Sequence, residues 1–192
     1  QGNLRAILDD VYALDKAEIS RLYDETRLLS RLVDDLRELA LADAGQLHLV
    51  LRPTKAAPVI QSTVESLALV ANAQGVTLTF QHPGDLPTVQ ADPDRVDQIL
   101  RNLLANALRH TPSGGSITVS AIARHNAVEI AVSDTGEGVA PEDLPHIFDR
   151  FWRADPARAR GGRCNDSSGL GLSVAQSLVE VLAVSHCLGP VV

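Results

Sequence analysis

"SDTGEGVAPEDLPHIFDRFWR", residues 133–153, decides how this chain is read. It begins where an alternating stretch, "AVEIAVSD" (127–134), runs out, so Asp134 stands at the end of a strand. Gly136 and Gly138 follow, spaced by one residue, and then a helical segment flanked by Phe148, Phe151 and Trp152. A carboxylate at a strand end can accept a hydrogen bond from an exocyclic amine such as that of adenine, and glycines beside it let a flat ring approach the backbone. Taken alone, the stretch is equally an ordinary strand-to-helix turn. The surrounding residues have to choose.

Upstream lies "ADPDRVDQILRNLLANALRHTP" (91–112), with Asp92 as N-cap, Pro93 at the first helical position, and Val96, Ile99, Leu100, Leu103, Leu104 and Ala107 as a buried stripe. On this helix Asn102 and Asn106 lie one turn apart, so both amides project from one face, and Arg109 follows three residues later. An amide oxygen is a hard neutral ligand suited to Mg²⁺, and an arginine nearby can neutralise a phosphate. Paired asparagines also serve as plain surface hydrogen-bonders. Downstream, Gly169 and Gly171 open a further helix, "LGLSVAQSLVEVLA", where free N–H groups and the positive dipole end favour phosphate. An isolated GLG is common at helix starts, so it gains weight only beside the other pieces.

The remaining elements frame these. "LHLVL" (47–51) reads as a strand; Pro58 opens a helix to Ala73 with Val59, Thr63, Leu67 and Val70 on one face; Gly75 closes it before the strand "VTLTF". "SITVSAIA" (116–123) pairs with 127–134 in a hairpin turning at His125 and Asn126. Residues 154–169, nearly devoid of apolar side chains, read as a mobile loop. Before all this, Asp15 and Glu18 resemble a capping box, and a heptad follows with Ile19, Thr26, Val33 and Ala40 in one register and Leu22, Leu29 and Leu36 in the other. Leu28, Leu32 and Leu39 widen the stripe toward a bundle, so residues 3–42 read as a truncated, dimerising helical hairpin ended by Gly45. The alternative is a single helix packed on its own domain. The expected fold class is α+β: a two-layer sandwich, a mixed sheet covered by helices on one face, preceded by the hairpin.

Bulk properties narrow the partners. With 17 basic against 24 acidic residues the net charge is -7, which argues against general affinity for nucleic-acid phosphates or anionic lipid. No apolar run approaches the roughly 18 residues of a membrane span. Cys164 and Cys187 are too few for a zinc site or a disulfide framework, and the expectation is a cytoplasmic chain with reduced thiols, its start at Gln1 reading as a cut or processed end.

Together these pieces resemble the histidine-kinase branch of the GHKL ATPase superfamily. "NLLANALRHTP" is similar to the family's N box, "DTGEG" to its G1 box, "IFDRFWR" to its F box and "GLGL" to its G2 box, in family order, over roughly residues 5–182. The resemblance implies that residues 45–192 form an ATP-binding catalytic domain and residues 1–44 part of a dimerisation and phosphotransfer hairpin. It implies Mg²⁺ at Asn106 with Asn102 in support, phosphates or the nucleotide edge at Arg109 and His110, and the adenine amine at Asp134 over Gly136 and Gly138. Phe148 and Phe151 would anchor a lid, and Gly169, Leu170, Gly171 and Leu172 would close over the phosphates. The implied cofactors are ATP and Mg²⁺; the implied partners are a histidine-bearing chain or segment, a response regulator downstream, and a homo- or hetero-dimer mate.

Two departures stand out. The family's phospho-accepting histidine sits in the first hairpin helix, but no histidine precedes His48, so the acceptor is expected on another chain or a missing segment. The family continues past its last helix into two more strands; "EVLAVSHCLGPVV" does not, which predicts an uncovered sheet edge. A catalytically idle regulatory module with a relic or sensory pocket is the alternative function, and an anti-sigma-type serine kinase is disfavoured by the heptad. Incubated with γ-labelled ATP, the purified chain is expected to stay unlabelled; acid-labile label on it would contradict this.

Overall fold

Strict alternation along "SITVSAIAR" puts Ile117, Val119 and Ala121 on one face, and all three are fully buried, which makes this the central strand. The computed structural model describes residues 16–125, 127–153 and 168–186. In chain order the elements are α1 (Lys16–Asp43), β1 (Arg52–Lys55), α2 (Ala56–Ala73), β2 (Thr77–Gln81), β3 (Thr88–Ala91), α3 (Pro93–His110), β4 (Ser116–Arg124), β5 (Ala127–Asp134), a 3-10 turn (Leu144–His146) and α4 (Gly171–His186). The sheet is mixed, as expected: β4 runs parallel to β2, starting at Thr77↔Ser116, and antiparallel to β5, ending at Ile117↔Asp134. A second, two-stranded ladder joins β1 and β3.

Helices α2 and α3 cover the inward face of the sheet. Ile60, Val64 and Ala71 of α2 meet Leu100, Leu104, Ala107 and Leu108 of α3 over the buried side chains of β4. Each large side chain sealed this way contributes about 1.5–3 kcal/mol relative to exposure. Helix α3 begins as its sequence requires: Asp92 caps it, its Oδ1 accepting from the N–H groups of Asp94 (3.1 Å) and Arg95 (3.4 Å), with proline in the first turn. Among the described residues β5 pairs with β4 only, and its inward side chains Val128, Ile130 and Val132 are partly rather than fully buried.

Three expectations need correction, and one strand had none. Residues 47–51 form no ladder; the strand starts at Arg52, because its partner β3 reaches no further than Ala91 and Leu47 is drawn instead into a cluster with α1 and α4. Strand β3 itself has no sequence expectation to match, since a four-residue strand shows too little alternation. Helix α2 starts at Ala56, two residues before Pro58, which sits in the first turn where a missing N–H costs nothing. Its buried stripe is Ile60, Thr63, Val64 and Ala71, whereas Val70 is exposed. The loop expected at 154–169 lies almost wholly outside the described residues, as does the first hairpin helix before Lys16.

Helix α1 has two faces with different fates. Leu39 is buried with Leu170, Val174 and Leu178, with Leu32 and Ile99 packed alongside, so one face lies on α4 and α3. Heptad residues Ile19, Leu29, Val33 and Leu36 point away and are exposed. Asp35 is half-buried near this boundary. Burial pushes its carboxyl above the usual value; Glu38 adds to this, Arg31 opposes it, and Asp34 adds again. A carboxyl raised in the folded state costs stability where it is charged, and that cost fades as pH falls through the folded value. Asp35→Asn is therefore expected to raise the unfolding midpoint at pH 7 and to lose that gain below about pH 4, the unfolded carboxyl value. Calorimetry at both pH values checks it, and an equal gain at each would contradict it.

Candidate functional site

Topology delivers Asp134 to the end of α3. Only a short turn separates His110 from β4, and the start of β4 faces the end of β5, so the last residue of β5 must sit beside the helix terminus. The junction is sewn by Thr135, whose N–H donates to the Ser116 carbonyl (3.0 Å) and whose Oγ1 accepts from the Ser116 N–H (2.9 Å). Asp134 Oδ1 accepts from the Gly136 N–H at 2.8 Å, which fixes the carboxylate in an exposed position.

The two glycines of this turn are needed for different reasons. A Cβ at position 136 would collide with the backbone carbonyl oxygen of His110, so the turn can lie against α3 only without a side chain. Position 138 faces open space but has φ +71°, the left-handed region that glycine alone adopts cheaply. Beyond them, Glu137 Oε1 meets His110 Nδ1 at 3.1 Å across the rim. Sequence reading missed Glu137; its only signal was a charge set between two glycines.

Asn102, Asn106 and His110 are spaced by four, so they line one face of α3 over about 12 Å of helix. Gly136 and Glu137 press on the His110 end. At the other end Gly171 abuts Asn102: a Cβ there would lie 3.9 Å from Asn102 Oδ1. Asn106, half-buried, lies between the two glycine turns, with half-buried Arg109 on the adjoining turn. Asn102 Nδ2 is buried and has no hydrogen-bond partner. Such an orphaned donor beside a glycine turn is what a site for an acceptor-rich ligand leaves behind.

The glycine turn before α4 is held from behind. Leu170 is fully buried in the cluster with Leu39, and its N–H donates to Ser168 Oγ at 3.1 Å, so its side chain belongs to the core and not to the cleft. Leu172 is half-buried. Gly169 has φ +68°, and a Cβ there would come within 2.8 Å of the Phe151 backbone. Phe151 itself has φ +63°, a strained value for an aromatic residue, and its N–H donates to the Gly169 carbonyl at 2.9 Å. Phe148 and Phe151 are both exposed, while Trp152 stacks on His146 with centroids 6.5 Å apart. The segment they were expected to anchor lies outside the described residues.

Among the described residues, no group of three or more His, Cys, Asp or Glu side chains could hold a metal. Mg²⁺ keeps several waters and takes one or two protein ligands plus substrate phosphates, so a lone amide oxygen such as that of Asn106 fits an ion that arrives with a nucleotide. No helix among the described residues is long and apolar enough to cross a membrane.

Comparison with known proteins agrees with this geometry. Residues 91–187 match the family described as "Histidine kinase-, DNA gyrase B-, and HSP90-like ATPase". The chain is 34% identical over 180 residues to the signal transduction histidine-protein kinase BaeS of Escherichia coli (strain K12), covering 94% of this chain and 38% of that protein. It thus spans well under half the length of this curated relative. The histidine kinase AdeS of Acinetobacter baumannii superposes with a TM-score of 0.77 at 25% identity, over 94% of this chain and 81% of that one. Full-length ShkA in complex with AMPPNP gives a TM-score of 0.72 at 27% identity, over 91% of this chain and 36% of that one.

The contact between Gly136 and the His110 carbonyl yields a direct test. Gly136→Ala forces two backbone segments apart and is expected to cost about 1–3 kcal/mol. The same change at Gly84, where an added Cβ meets nothing within 4 Å, is expected to stay within about 0.5 kcal/mol. Urea unfolding of both variants checks the difference, and equal costs would contradict it.

Proposed function

We propose, from the premise that this chain belongs to the histidine kinase-, DNA gyrase B- and HSP90-like ATPase family, that it is the ATP-binding part of a sensor histidine kinase. In this reading residues 45–192 are the catalytic domain and residues 1–44 part of the dimerising, phospho-accepting stem. Its task is to hold Mg·ATP and pass the γ-phosphoryl group to a histidine on another chain or segment, from which a response regulator would be served. One observation carries the assignment: the asparagine face of α3 is bracketed by a glycine turn at each end, one bearing Asp134 and the other opening α4.

The division of labour follows from residue chemistry. Asp134, fixed by the Gly136 N–H, presents acceptor capacity to the adenine amine. Asn102, with its unpartnered amide N–H, donates to phosphate oxygen; Arg109 offsets phosphate charge; the start of α4 supplies backbone N–H groups. Asn106 would hold Mg²⁺, which supplies charge neutralisation on the phosphates when bound. During transfer the bond from γ-phosphorus to the ADP oxygen breaks, ADP keeps the electron pair, phosphorus bonds to the unprotonated imidazole nitrogen, and the proton on the other ring nitrogen leaves to a base outside this chain. This chain's share is positioning and charge stabilisation.

Titration with ATP, with and without Mg²⁺, is the test. Binding is expected to need the metal, and Asn106→Ala and Asp134→Ala are each expected to weaken it at least tenfold, the loss of one charge-assisted or metal-linked contact. If the folded chain binds no nucleotide, the idle-module reading replaces this one.

A further inference from the structure

The last turns of α1 touch the phosphate end of the site at separate points. Leu39 and Asp43 are spaced by four and share a face. Leu39 packs against Leu170, the residue between the two glycines before α4. Asp43 takes Arg150 Nη2 on both carboxylate oxygens, at 2.6 and 2.8 Å. Arg150 adjoins the strained Phe151, which is tied through its N–H to the Gly169 carbonyl. One face of one helical turn therefore holds Arg150 and Leu170, the chain neighbours of the two residues that form the clasp between Phe151 and Gly169. A third tie, from Glu38 to Arg95 and Gln98, holds the first turns of α3, the helix that carries Asn102 and Asn106.

We infer that Asp43, acting through Arg150, is a positioning residue for the phosphate end of the nucleotide site. An exposed ion pair usually contributes little to folding. Here its use is geometric: α1 and α4 already meet through Leu39, and Asp43 adds a second fixed point, so the aromatic turn and the glycine turn are set relative to the stem. The same hydrogen bond holds the Asp43 carboxyl below, and the Arg150 guanidinium above, their ordinary values. Nucleotide affinity then depends on how α1 sits, and whatever moves α1 moves the phosphate wall without touching Asp134 at the base end.

This rests on the nucleotide reading, so the experiment uses two probes on the full chain: Mg·ATP, which engages both ends, and adenosine, which engages the base end only. Asp43→Ala and Arg150→Ala are each expected to weaken Mg·ATP binding two- to fivefold and to leave adenosine binding unchanged. The charge swap combining Asp43→Arg with Arg150→Asp is expected to return Mg·ATP affinity to within twofold of wild type. Circular dichroism establishes that each variant is folded; if one single variant fails to fold, the other and the swap still decide. Unchanged Mg·ATP affinity in both single variants overturns the inference. So does an equal loss for adenosine and Mg·ATP, which would mean general loosening, and so does a swap no better than either single variant. Wild type that binds adenosine but gains nothing from the phosphates refutes the phosphate-end assignment, whereas wild type that binds neither probe refutes the nucleotide reading itself.

Discussion

The carboxylate of Asp92 is the point on which the arrangement of the site turns. It is 5% exposed, and it is used on both oxygens: Oδ1 caps α3, while Oδ2 accepts from the Val50 N–H at 2.9 Å. One oxygen fixes where the helix begins, hence the rotational phase at which Asn102, Asn106 and His110 emerge. The other ties that start to the chain arriving from α1. A cap that failed would shift the asparagine face relative to both glycine turns. The stem contacts would shift with it, because Arg95 and Gln98, which hold Glu38, lie in the first two turns of the same helix.

What was legible in the sequence follows from how each signal arises. The cap, the proline and the stripe of α3 are local events within eighteen residues: the structure reproduces the first two and buries Leu100, Leu104 and Ala107 with Leu108 added, while Val96, Ile99 and Leu103 are only partly buried. Alternation in β4 and β5 was equally plain because one face is buried. Helix α2 was harder: its apolar residues are nearly continuous, so two stripes one residue apart fit the pattern, and only packing against α3 selects Ile60 and Val64 over Val59 and Val70. Strand β3 and the displaced start of β1 depend on each other at long range, which no local window contains.

For the site, residue types were legible and their reasons were not. Gly136 and Gly138 read alike in sequence, yet one is dictated by a carbonyl of α3 and the other by its own backbone angle. Leu170 reads as part of a phosphate turn, and its side chain instead serves the seam with Leu39. The heptad of α1 gave two candidate partners, a second helix or the helix's own domain. Its stripe is wide enough to serve both: Leu32 and Leu39 face the domain, and Ile19, Leu29, Val33 and Leu36 remain available to another helix.

That double allegiance bears on how the site can be rigid and responsive at once. The end that carries Asp134 is built from β4, β5 and the end of α3, all rooted in one core over α2. The end that carries Gly171 is built on α4, which shares a smaller cluster with α1, and on the Phe151 turn, which is joined to α1 by the exposed ion pair of Arg150 with Asp43. Fewer buried contacts mean a lower free energy of local opening. The buried, unpartnered Asn102 Nδ2 lies where these two bodies meet, beside Gly171. An unmade hydrogen bond of that kind costs about 1–3 kcal/mol, a penalty that a phosphate oxygen would remove by accepting the bond. The seam between the rigid half and the stem-linked half is thus left weaker than the rest of the fold, and it is weaker at the point where a ligand would close it.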